Sequence, residues 1–568
     1  MYRARKAGFV LSCIAVTMMN AAWADDPVPA PATAAGADSS AELRRLKTQL
    51  DQQQKQIEQL RAALEAQSKM LDKIGATEKT GAPAAAAEHV TPRNLGQVAS
   101  TTPMLPPAPP TPAPSPMYTP PLPAQDAAPA SSPLQVKIGD TTIIPIGFMD
   151  LTADWKDKNA GGSLGSNFGS IPYNNATTAK LSEFRFSPQN SRIGFRVDGS
   201  WKGAHFIGYN EFDFLGTSGG NNLSVTNGAF VPRIRLYWVD VRKGQFEFLA
   251  GQSWSMLTPN RKGISALPGD LFYSQVIDVN YMAGLTWTRQ PGVRFLYHPS
   301  DQVTVGVSFE NPDQYIGGSA GGSTVVLPAA LTTLAGTQLD NQTNVQTIPN
   351  VHPDIIAKIA FDPSAKVHLE VAGMERTFKT WNPLTNTYFT KVGGGGSVNA
   401  NVEVVKNFRL VTNNYWSYGG GRYLFGQAPD AVVRADGSVS PLHSGSTLNG
   451  FEAVVKNTLL YAYYGGIYVG RDVVVDANGT SLVGYGYRGS SNSQNRAIQE
   501  ISFGFNQTLW KDPKYGALNF MGQYEYLLRS PWYWAANVAG GKSTHDNTIF
   551  FNFRYTLPGS APPVKIEK

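Results

Sequence analysis

Five arginines hold the most suggestive chemistry in this sequence. Arg192 and Arg196 share one face of the segment Arg192-Ile193-Gly194-Phe195-Arg196-Val197-Asp198, whose other face is apolar. Arg233 and Arg235 lie two apart in a segment whose alternation sends Ile234, Leu236 and Trp238 the other way, and Arg294 opposes Val293, Phe295 and Tyr297. A guanidinium is permanently charged and presents a planar fork of donors that fits a carboxylate. A row of them on a narrow aqueous passage concentrates anions and repels cations. Arg376 and Arg554 fall on polar faces of more distant segments, with Lys358 as a lesser member. The competing reading is that these cations pair with acids such as Asp198, Glu247, Glu310 and Glu370 and only stiffen a wall.

Other motifs do not support catalysis. Gly161-Gly162-Ser163-Leu164-Gly165 matches a hydrolase nucleophile pattern, and Gly484-x-Gly486-x-x-Gly489 matches a dinucleotide fingerprint. Neither lies between a strand and a helix, which both chemistries require. The seven histidines show no ligand spacing. Val473–Val475 and Thr480–Val483 read as a small hairpin within a loop. No enzyme, cofactor or metal is expected.

The elements that position the arginines are strands. Beyond Leu134 the chain alternates apolar and polar residues many times over, as in Val303–Glu310, Leu518–Arg529 and Ile549–Leu557. Short turns such as Ser200–Ala204, Arg242–Gly244 and Lys511–Lys514 take turns with long connections, notably 157–181, 255–281, 312–352, 419–446 and 471–496. Trp155, Trp254, Trp416, Trp510 and Trp532–Trp534 stand near strand ends, where a bilayer interface holds aromatics. These features predict an all-β transmembrane barrel over 134–558, with about 16 antiparallel strands, lipid on the apolar face and water in the lumen. Pro188 requires a bulge or strand start, and Pro291-Gly292 must bend the sixth strand rather than divide it. A tail, 559–568, follows.

Composition agrees. The 568 residues include 56 glycines but only 16% charged side chains, against ~25% in soluble domains. A net charge of +6 over this length does not by itself imply nucleic acid, and none is expected as a partner. The one cysteine, Cys13, lies in the N-terminal apolar stretch, so a disulfide scaffold is excluded. Arg3, Arg5 and Lys6, then Gly8–Met19, then Ala22-Trp23-Ala24, read as a signal peptide over 1–24; a lipoprotein box at Leu11-Ser12-Cys13 is the weaker alternative. An Ala/Pro-rich segment, 25–38, is expected to be disordered.

Residues 39–75 predict an α-helical coiled coil, with Leu43, Leu50, Ile57, Leu64 and Leu71 at a, and Leu46, Gln53, Leu60, Gln67 and Ile74 at d. The segment 76–133 is a Pro/Ala-rich linker, with 13 prolines between Pro103 and Pro133.

The segments Asn190–Arg196, Ala250–Ser255, Arg289–Arg294 and Phe309–Pro312, in an exported chain with heptads and a proline spacer, resemble the DcaP-like trimeric porins of Gram-negative outer membranes. The resemblance implies a homotrimer joined through the coiled coil and the barrel wall, contact with outer-membrane lipid and lipopolysaccharide, and a coiled coil in the periplasm. It also implies uptake of small anionic solutes such as dicarboxylates, and a loop 255–281, carrying Arg261 and Lys262, folded inward to narrow the pore. One departure is that Pro558–Lys568 extends beyond the usual aromatic terminus. The alternatives are a structural tether that grips the cell wall through the coiled coil, and an adhesin presenting its long loops.

Overall fold

Two-residue alternation folds as the ladder it implies. The computed structural model describes residues 132–559 apart from 162–163, 167, 217–229, 268–276, 319–322, 343–347, 492–493 and 535–540. The expected signal peptide, Ala/Pro-rich segment, coiled coil and nearly all of the linker and tail lie outside the described residues.

Sixteen antiparallel strands close on themselves. They are β1 (Thr141–Lys156), β2 (Glu183–Ser187 continued by Arg192–Trp201), β3 (Ala204–Gly216), β4 (Val231–Lys243), β5 (Phe246–Trp254), β6 (Arg289–Ser300), β7 (Val303–Glu310) and β8 (Asp354–Ser364). The circuit continues through β9 (Val367–Asn382), β10 (Thr387–Val405), β11 (Phe408–Tyr418), β12 (His443–Val455), β13 (Thr458–Val469), β14 (Asn495–Asp512), β15 (Gly516–Pro531) and β16 (Thr544–Thr556). The ladder from Phe148↔Thr556 to Lys156↔Thr548 joins β1 to β16 and shuts the barrel. Both halves of β2 pair with β1, so the gap at Pro188, which has no N–H to give a ladder, interrupts one strand without adding another. The sixth strand runs unbroken through Pro291-Gly292.

One end of the barrel is turned by two or three residues at 202–203, 244–245, 301–302, 365–366, 406–407, 456–457 and 513–515. At 202–203 both residues have positive φ, Lys202 at 49° and Gly203 at 76°, the backbone that lets a two-residue turn follow strand twist. The other end carries the long connections, with one short exception at 383–386. The loop after β13 contains the expected hairpin, Asp472–Val475 against Leu482–Tyr485.

Burial is inverted relative to a water-soluble protein. Phe195, Phe295, Phe503, Phe551 and Phe553 are exposed on the outer wall, while Arg196, Glu211, Arg235, Glu370, Arg376 and Glu525 are buried inside. With every strand paired and an apolar exterior, the barrel is built to stand in lipid.

Two orientations differ from the expectation. Leu236 and Trp238 face inward rather than outward. The ladder between β3 and β4 skips from Glu211↔Leu236 to Phe212↔Ile234, leaving Arg235 as the extra residue of a bulge. Arg235 and Leu236 therefore both turn in, and the alternation beyond them changes phase. Trp254 is not an interfacial aromatic. At the end of β5 it turns into the lumen and packs on Tyr281 and Trp287, with ring centroids 6.0 and 5.3 Å away.

Candidate functional site

The lumen is shaped by the connection 255–288, which folds inward. Its first arm descends along β7, β8 and β9. There, wall carboxylates accept from its backbone: Met256 N donates to Glu310 Oε1 at 2.7 Å, Asn260 N to Glu370 Oε1 at 3.2 Å, and Gly263 N to Asp362 Oδ2 at 2.8 Å. Arg261 reaches the far wall and clamps Glu452 of β12 with two bonds of 2.9 and 2.7 Å. Lys358 donates to Thr258 O at 2.8 Å and pairs with Glu370 at 2.9 Å. Lys262 is half-buried and makes no ion pair among the described residues.

The second arm crosses toward β11–β14. Ala283 N donates to Glu500 Oε2 at 2.8 Å and Thr286 N to Asn413 Oδ1 at 2.9 Å. Gly284, at φ 90°, presses so closely on the wall that a Cβ would meet Thr447 O at 2.3 Å. Near the start of this arm, Asp278 accepts from Ser166 N at 3.0 Å, and burial pushes its carboxyl up to about 6.

Against this loop stands the arginine cluster. Ladder register places Asp213 of β3 opposite both Arg192 of β2 and Arg233 of β4. Arg233 holds Asp213 with bonds of 3.0 and 2.7 Å. Arg235 donates to Glu211 Oε1, Asp213 Oδ2 and the Tyr281 hydroxyl, each at 2.8 Å. Arg192 donates to the same hydroxyl at 3.1 Å and lies 3.5 Å from Glu211. Arg289 lies over the Trp254 ring at 5.7 Å, with Arg235 at 5.8 Å, and makes no ion pair among the described residues. Four guanidiniums less two carboxylates leave the cluster at +2. Burial alone would raise the Tyr281 phenol, but Arg235, Arg192 and Arg289 outweigh it and hold it below its ordinary value.

The remaining expected residues lie elsewhere. Arg196 is on the same face as Arg192 but is taken up by Asp198, with two bonds of 2.7 Å. Arg294 donates to Trp254 O at 2.7 Å. Arg554 pairs with Asp150 at 2.8 Å on the closing strand. Arg376 pairs with Asp354 and Asp430 at 3.0 Å each, in a knot where Arg422 also reaches Asp354 and Asp313. In that knot two arginines meet three aspartates, and burial pushes Asp313 up to about 8, so the two guanidiniums are fully matched. Of the five arginines expected to converge on one wall, Arg192, Arg233 and Arg235 do so, while Arg196 and Arg294 have separate partners.

Of the four acids expected to neutralise arginines, Asp198 pairs with Arg196 and Glu370 with Lys358. Glu247 and Glu310 both act on the charge of Arg294 without a direct ion pair to it; Glu247 also faces His298 at 2.9 Å, and Glu310 also anchors the loop.

Sequence reasoning missed Arg289 and Tyr281. Strict alternation sends Arg289 and Arg294, five residues apart, to opposite faces, yet both turn inward here. Tyr281 lies in a loop, where no periodicity marks it.

No protein-family model and no curated protein matches the chain. Among solved structures it is similar to the outer membrane channel DcaP of Acinetobacter baumannii, with a TM-score of 0.54 and 16% identity over 74% of this chain and 99% of that one. OmpF of Salmonella typhi and OmpT of Vibrio cholerae are more distant, at TM-scores of 0.41 and 0.40 and identities of 9% and 12%, each over 74% of this chain and 100% of theirs. The chain thus shares its barrel fold with the DcaP outer-membrane channel, whose family its own motifs resemble.

Proposed function

We propose that this protein is an outer-membrane porin: a passive, water-filled channel that prefers small anions, dicarboxylates among them. Export by the N-terminal signal, a homotrimer held by the coiled coil and barrel wall, and a periplasmic position for that coil belong to the same reading. One observation carries the preference. In the cluster that Arg192, Arg233, Arg235 and Arg289 form on the β2–β6 wall, four guanidiniums meet two carboxylates, Glu211 and Asp213, while Glu310, Asp362, Glu370 and Glu452 on the facing walls hold the inward loop. Field lines from an uncompensated cluster converge in a low-dielectric passage and raise the local concentration of anions.

Arg233 and Arg192 are the solute-facing cations in this account, and the buried Arg235, with Arg289, adds its charge to the same site. Arg196, Arg294, Arg376, Arg554 and Lys358 stiffen the wall, Arg261 fixes the loop, and Lys262 adds a second positive charge along the path. Swelling of liposomes containing the purified protein tests the proposal. Succinate is expected to enter faster than 1,4-diaminobutane, a dication of similar length. Equal rates, or faster entry of the diamine, would overturn it.

A further inference from the structure

The Tyr281 hydroxyl occupies an unusual position. Its oxygen accepts from Arg235 Nη2 at 2.8 Å and from Arg192 Nη2 at 3.1 Å, so two guanidiniums from different strands converge on one small oxygen. That is the arrangement a carboxylate oxygen takes between two arginines. The backbone holding it is constrained as well, since Tyr281 is a non-glycine residue at φ 63°, in the left-handed region. Trp254 and Trp287 pack its ring edge-on at 6.0 and 4.8 Å, leaving the hydroxyl little freedom to leave the arginines.

We propose that Tyr281 is a resident, weakly bound stand-in for the permeating anion, which occupies the convergence point of Arg192 and Arg235 and keeps passing anions from binding there tightly. This rests on the anion-preferring reading above and names the residue that sets its strength. The physical need is general: a conducting site must attract its ion yet release it, and a site of fully available guanidiniums would trap a dicarboxylate. A phenol is a poorer ligand than a carboxylate, so it fills the donors' geometry without cancelling their charge. The charged groups around the hydroxyl are Arg192 from β2, Glu211 from β3, Arg235 from β4 and Arg289 from β6. Three cations against one acid favour the ionised phenol. At alkaline pH, ionisation of Tyr281 would lower the cluster from +2 to +1, beginning below the ordinary phenol value of about 10.

Single channels of wild-type protein and Tyr281→Phe test this, with succinate added as blocker and reversal potentials read in a KCl gradient from neutral to alkaline pH. The expected result is that Tyr281→Phe lowers the half-blocking succinate concentration by about tenfold, equivalent to about 1.4 kcal/mol. The wild type is expected to lose more of its anion preference on alkalinisation than the variant, which lacks the ionising phenol. An anion-selective wild type with the same block and the same pH profile in Tyr281→Phe would overturn the role of Tyr281 and leave the porin reading standing. A wild type without anion selectivity would overturn both. Should the variant fail to assemble, the wild-type pH profile alone decides, since an anion preference unchanged through about pH 10 contradicts an ionising phenol among these arginines.

Discussion

Replacing Arg289 by glutamine separates the charge of the arginine cluster from its architecture. Arg289 lies over the Trp254 ring at 5.7 Å and makes no ion pair among the described residues, so its loss leaves no buried carboxylate without a partner. Removing Arg235 would instead strip donors from both Glu211 and Asp213. Arg289→Gln takes the cluster from +2 to +1. For a monovalent ion passing ~8 Å away through water, one charge is worth about 0.5 kcal/mol. That is about a twofold change in anion concentration and an opposite twofold change for cations, so the permeability ratio falls about fivefold at low salt. A Debye length of ~10 Å at 0.1 M trims this to about two- to threefold. Reversal potentials of the two proteins in matched KCl gradients read the ratio directly, and the difference should shrink as salt rises. An Arg289→Gln channel with the wild-type ratio at low salt would refute the claim that this cluster governs selectivity.

Arg261→Ala should loosen the inward loop. The Arg261–Glu452 pair is buried and bidentate, and removing one partner of such a pair costs about 3–5 kcal/mol. Larger and noisier single-channel conductance with an intact, heat-modifiable barrel is expected, whereas unchanged conductance would mean the loop is held without this clamp. Asp278 predicts a pH effect. Its carboxyl is raised by burial to about 6, so the folded state holds the proton more tightly than the unfolded chain; the associated stability is complete below about pH 4 and lost as pH rises through 6. Thermal melting should therefore occur at higher temperature at pH 5 than at pH 7, and Asp278→Asn should remove that part of the difference. A wild-type melting temperature indifferent to this pH step would contradict the assignment.

The barrel was legible because period-two alternation survives lipid on one side and water on the other. Val303–Glu310 reads correctly on both faces, and even the Pro188 interruption is visible, since proline cannot supply a ladder donor. The phase of a strand beyond a bulge is not legible. Nothing local in Arg233–Trp238 tells that Arg235 is the extra residue against β3, so Leu236 and Trp238 were expected on the wrong face. The candidate site was half visible for a related reason. Arg192, Arg233 and Arg235 stand on regular alternation, whereas Arg289 lies five residues from Arg294 and breaks it. Tyr281 is placed by tertiary contacts of an inward loop, and that inward course was implied by family resemblance rather than by spacing. The acids were visible as residues but not in role. Glu310 reads as a counter-ion to arginine and does support the charge of Arg294, but it also accepts a backbone N–H from Met256, a role that spacing does not reveal.

The central claim, an anion-preferring pore, is tested most directly by the zero-current potential of the wild-type channel between two KCl solutions of different concentration. The account predicts a potential with the sign of chloride permeation, shrinking as salt screens the cluster. A potassium-selective potential, or none at any ionic strength, would contradict it.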